Sequence, residues 1–127
     1  MKLHLSDQAG LNIFSGYGEG YVAVNQMRYT SNMIVLPNRI IENWQASSVD
    51  SLGVEHLDPL LVMQPEIILL GTGSILRFPA ASLMRTILSR GIGFEVMDTQ
   101  ATCRTYNILS SEGRHVAAAI LIQSVGA

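Results

Sequence analysis

The chain has 127 residues, 48% hydrophobic and only 14% charged, with a net charge of −2. That balance excludes a disordered chain, which needs low hydrophobicity and high charge, and the length suits one domain, residues 1–127 with a core over about 12–122, able to bury its own apolar interior. Lys2 is the only lysine and no basic run exists, so a nucleic-acid surface built on many phosphate contacts is excluded as well.

The first half is rich in strand and turn signals. Asn12 to Phe14 lead into Gly16-Tyr17-Gly18-Glu19-Gly20, whose three glycines at spacing two predict a turn or bulge rather than a dinucleotide fingerprint. Tyr21 to Val24 reads as a strand and Asn25-Gln26 as a tight connection. Met27 to Tyr29 and Met33 to Leu36 follow as two more short strands. Pro37-Asn38 punctuates, and Arg39 to Trp44 resumes extended structure. These segments predict an antiparallel meander.

The second half alternates. Val54 to Met63 predicts a short helix, with Asp58-Pro59 read as its N-cap and first position. Glu66 to Leu70 is a continuous apolar run after its first residue, as in a strand covered on both faces. After Gly71-Thr72-Gly73 and Pro79, the residues Leu83, Met84, Ile87 and Leu88 form one helical stripe, with Gly91 placed as its C-terminal stop. Gly93 to Met97 predicts the next strand. Asp98-Thr99 caps a helix continuing over Ala101 to Leu109, and Val116 to Ile122 forms a last apolar strand. Strand, helix, strand, helix, strand implies parallel or mixed pairing. The expected architecture is a three-layer α/β domain: a central mixed sheet, helices on one face, and the N-terminal meander extending or covering it.

Two segments can carry chemistry. Gly71, Thr72 and Gly73 follow an apolar strand, the position where open α/β sheets place ligands. Glycine admits close backbone approach, and amides near a helix start can hold an anion; a plain strand-to-helix turn explains the same residues, and neither a Walker nor a dinucleotide pattern is present. The second segment, Asp98 to Asn107, is unusually polar between two apolar strands. Arg104 and Asn107 share a helical face and could form a pocket wall with Asp98 and Thr99, Arg104 clamping an anion. The competing reading has Asp98 and Thr99 as caps, Tyr106 packed with its hydroxyl satisfied, and Arg104 paired with Asp98 or Glu112.

Cys103, the only cysteine, excludes an internal disulfide and reads as a buried, inert thiol rather than a nucleophile. His4, His56 and His115 share no ligand spacing, so neither metal nor cofactor is expected, and no catalytic residue is assigned. Trp44 reads as core or interface. The N-terminus lacks an apolar signal core, and Val116 to Ile122 is too short to span a bilayer; a cytoplasmic protein is expected. With so little charge to cover the surface, some apolar area is expected to meet a partner, homo-oligomerisation included.

Ile41-Glu42-Asn43-Trp44, Pro65 to Gly73, and above all Met97 to Arg114 with Val116-Ala117-Ala118-Ala119 after it resemble the signature of domain-of-unknown-function family 498. That family includes the mitochondrial NADH:ubiquinone oxidoreductase complex assembly factor 3 and many uncharacterised bacterial and archaeal proteins. The resemblance runs from about Gly16 to Ile122. It implies a compact three-layer α/β domain and places the family pattern on the Gly71–Gly73 loop and the Asp98–Asn107 segment. It implies no activity; the mitochondrial relatives act as assembly factors through protein contacts beside the inner membrane. The leading expectation is therefore a bacterial, non-enzymatic interaction module. The rival is a small-molecule (anion) binding protein or enzyme with a pocket between Gly71, Thr72, Gly73 and Asp98, Thr99, Arg104, Tyr106, Asn107.

Overall fold

In the computed structural model, which describes residues 10–122, β1 (Phe14–Gly18), β2 (Tyr21–Val24) and β3 (Met27–Tyr29) form a three-stranded antiparallel sheet. Strands β2 and β3 are joined by two residues, Asn25 and Gln26, at φ of 51° and 73°. Two left-handed residues make the type I′ turn whose twist matches flanking strands. The glycine-rich run is itself strand β1, not only a turn: Gly16 and Gly18 pair with Ala23 and Tyr21, and a register shift between Phe14 and Gly16 marks a bulge. At Gly18 a Cβ would collide with the Tyr21 ring, so any larger residue there would have to displace that ring.

A five-stranded sheet carries the rest, in the order β5-β4-β8-β6-β7. Strands β4 (Met33–Leu36) and β5 (Arg39–Ile41) form an antiparallel hairpin at one edge, β4 pairing antiparallel with β8 (Val116–Ile120). Strand β6 (Ile67–Gly71) lies parallel to both β8 and β7 (Gly93–Met97). The meander therefore divides: β1–β3 cover the central sheet, and β4–β5 extend it. Extended structure stops at Ile41, because Asn43 adopts φ of 54°.

Helices α1 (Val54–Met63) and α2 (Ala81–Ser89) cover one face, where Leu57, Leu60, Leu83 and Ile87 pack on Ile68, Leu70, Ala117 and Ala119. Helix α3 (Thr99–Ser111) lies on the other face with the β1–β3 sheet, where Cys103, Tyr106, Phe14 and Val24 meet Leu69, Val116, Ala118 and Ile120. The expectation of helices on one face thus holds for α1 and α2 and not for α3. Handedness supplies the reason. The β6–α2–β7 connection steps outward to the sheet edge, whereas β7–α3–β8 steps back across β6. Right-handed crossovers taken in opposite directions put their helices on opposite faces.

Helix α1 also starts earlier than the Asp58-Pro59 reading places it. Gly53 is its N-cap, the Gly53 N–H donates to His56 Nδ1 at 2.9 Å, and Pro59 sits inside the helix. Pro59 removes one helical hydrogen bond, a loss tolerated because Leu57, Leu60 and Leu61 are buried in the core. Trp44 is a core residue, its Nε1 donating to the His56 carbonyl at 2.7 Å. Among the described residues no helix is long and apolar enough to cross a membrane.

Candidate functional site

Because α2 and α3 leave adjacent parallel strands toward opposite faces, the carboxyl ends of β6 and β7 flank a crevice. This is the switch-point position where open α/β sheets accommodate ligands. Three strand ends are laced together there. The Thr72 N–H donates to the Met97 carbonyl at 3.0 Å, and the Leu121 N–H donates to Gly71 O at 2.9 Å. Gly73 and Thr99 hold each other twice: Gly73 N–H donates to Thr99 Oγ1 at 3.1 Å, and Thr99 N–H donates to Gly73 O at 2.9 Å. Gly73 stands at φ of +93°, a conformation that an L side chain strains to adopt.

A cavity of about 720 Å³ opens at this place, between those strand ends and the β1–β2 turn. From the second half of the chain Gly73, Ser74, Asp98, Thr99, Gln100 and Ile122 line it; from the first half, Tyr17 through Tyr21. Its wall carries two carboxylates, Glu19 and Asp98, and no basic side chain. Asp98 is already committed as the α3 N-cap, its Oδ1 accepting the Ala101 N–H at 2.9 Å. With the Thr99 amide held by Gly73 and the Ala101 amide by Asp98, most of the anion-binding capacity of this helix start is spent within the protein.

The remaining predicted residues point elsewhere or arrive indirectly. Gly71 ends β6, and Thr72 is buried beneath the loop, its Oγ1 donating to the Ile75 carbonyl at 2.8 Å. Arg104 does not line the cavity; its Nη1 donates to the Tyr17 hydroxyl at 3.2 Å, so it reaches the wall through that ring. Tyr106 is fully buried edge-on to Phe14, ring centroids 5.1 Å apart, and donates its hydroxyl to Asn12 O at 2.9 Å. Burial pushes its phenol above the usual range. Asn107 grips the backbone of β1 as a neighbouring strand would: Phe14 N–H donates to Oδ1 at 2.9 Å and Nδ2 donates to Phe14 O at 2.8 Å. Cys103 is fully buried, and burial pushes its thiol up to about 12 against the lowering effect of Arg104. Among the described residues no group of histidine, cysteine and acidic side chains is disposed to hold a metal; His4 lies outside the described residues.

Sequence reasoning missed the wall contributed by Tyr17, Glu19 and Tyr21. The glycine-rich run announced a special backbone, but nothing local sets it against a strand end some eighty positions later.

Residues 14–121 match a family described as protein of unknown function (DUF498/DUF598). Among curated proteins, the NADH dehydrogenase (ubiquinone) 1 alpha subcomplex assembly factor 3 of Danio rerio is 34% identical over 120 residues, covering 93% of this chain and 68% of that protein. The 13 kDa major membrane protein of Francisella tularensis subsp. holarctica (strain LVS) is 30% identical over 109 residues, covering 85% of this chain and 89% of that one. Among solved structures, a Bordetella parapertussis protein superposes with a TM-score of 0.82 at 35% identity, covering 91% of this chain and 98% of that chain.

Proposed function

The chain belongs to the DUF498/DUF598 family of proteins of unknown function, and from that premise we propose that it works as a non-enzymatic interaction module assisting the biogenesis of a membrane-associated complex. The observation that carries this reading is the alignment with an assembly factor over 93% of the chain. The structure of the family-patterned segment supports it. Asp98 spends its carboxylate on capping α3, Thr99, Tyr106 and Asn107 spend hydrogen-bonding groups on holding α3 to the β6 loop, to Asn12 and to β1, and Cys103 is sealed in the core. That is how residues are used to keep a surface rigid rather than to react. We place the protein at the cytoplasmic side, acting as one domain with a protein partner, a second copy of itself included. Cross-linking in the native cell followed by affinity purification should recover a stable or transient partner. Recovery of the protein alone would overturn the reading.

A second reading rests on the crevice. We propose that the cavity takes a small polar ligand; its carboxylate-lined wall favours a neutral or cationic one over an anion. A thermal-shift screen of metabolites should give a hit that is lost with Glu19→Gln and weakened with Arg104→Ala. No hit, or hits that both variants leave unchanged, would remove it.

A further inference from the structure

The loop between β6 and α2 shows solvent three large apolar side chains, Ile75, Leu76 and Phe78, at 55%, 49% and 64% exposure. The loop has a built shape. Buried Thr72 donates its hydroxyl to Ile75 O and accepts the Arg77 N–H at 3.3 Å. Arg77 stands between Leu76 and Phe78, and its Nε is buried without a hydrogen-bond partner. On α2, Leu83 and Ile87 turn inward while Leu88 is exposed, three residues after Arg85. Within the loop, from Thr72 to Ala80, Arg77 is the one charged residue, and it is a cation.

Clustered exposed apolar side chains mark an interaction site. Here they are too few for the core of a stable protein interface, which needs roughly 800 Å² per partner. Insertion of a few apolar side chains at the headgroup boundary, helped by a cation among them, is what an anionic lipid surface asks for. We propose that residues 75–78 are a membrane-surface anchor: Ile75, Leu76 and Phe78 enter the headgroup–acyl boundary of an anionic bilayer, and Arg77, set among them, meets the lipid phosphates. The anchor lies on the bilayer without crossing it. It goes beyond the interaction-module reading and needs no protein partner, so vesicles alone test it.

The full chain is sedimented with vesicles of phosphatidylcholine, with or without phosphatidylglycerol. The expected result is binding to the anionic vesicles that weakens as salt rises. The combined Ile75→Ser, Leu76→Ser, Phe78→Ser variant should bind at least about tenfold more weakly, and Arg77→Gln about fivefold more weakly. Circular dichroism and thermal melting should match the parent chain, since these side chains are largely outside the core. Phe78→Trp should show blue-shifted emission on anionic vesicles, over a constant background from buried Trp44. The proposal is overturned if the parent chain stays in the supernatant, if neutral vesicles bind equally well, if the triple serine variant binds like the parent, or if the emission of the Phe78→Trp variant does not move. Capture of an acidic protein without any vesicle binding overturns it too, and makes the loop a protein surface.

Discussion

At the scale of single residues, polar side chains in α3 turn out to be fasteners. Asn107 supplies a donor and an acceptor to the Phe14 backbone at the place where the β1 bulge leaves the ladder irregular. Cys103 lies beside it in the core, where apolar surroundings disfavour the thiolate. Its folded-state value is raised from the ordinary 9.0 to about 12. The stability linked to this group is thus complete below pH 9 and declines as pH climbs from there toward 12, because only the unfolded chain ionises readily. A disulfide reagent at a pH of about 8 should label Cys103 at the rate of unfolding and rapidly once denaturant is added. Prompt labelling of the folded protein would show an open path to the sulfur that the structure does not contain.

At the scale of elements, the start of α3 and the loop after β6 behave as one unit. Asp98 caps the helix, and Thr99 exchanges two hydrogen bonds with Gly73. Asp98→Ala should lower unfolding free energy by about 1 kcal/mol, whereas Asp98→Asn, which keeps the acceptor, should cost only a few tenths. Urea denaturation of the three proteins reads this directly. Equal losses for both variants would mean that the charge, rather than the cap, matters at that position. This unit was half legible. Asp98-Thr99 before a helical stripe is a recognisable start, and Gly71-Thr72-Gly73 a recognisable strand end. Their mutual lacing was not, because residues 26 apart in sequence leave no periodic trace of a contact.

At the scale of the whole molecule, β8 is the central strand and faces both cores. Ala117 and Ala119 belong to the core beneath α1 and α2, and Val116, Ala118 and Ile120 to the one beneath α3 and the β1–β3 sheet. The small side chains let two layers approach one strand. Ala118→Leu should destabilise by about 1–3 kcal/mol through overpacking. The measurement is the midpoint of thermal or urea unfolding, and an unchanged midpoint would mean the α3 face has slack that full burial of Ala118 does not suggest.

The sequence by itself determined the strand–helix alternation and most of the elements, because hydrophobic period, caps and turn residues are local properties. It also marked one wall of the crevice, since the residues that end a strand and start a helix announce themselves. Tertiary structure alone decided the rest. The direction of each crossover sent α3 to the face opposite α1 and α2. That divergence opens the crevice at the ends of β6 and β7, and packing of the three-stranded sheet on the α3 face brings Tyr17, Glu19 and Tyr21 to its other side. Tertiary packing also gave the polar α3 residues their partners, Tyr17 for Arg104 and the Phe14 backbone for Asn107, because a side chain's partner depends on which strand arrives beside it.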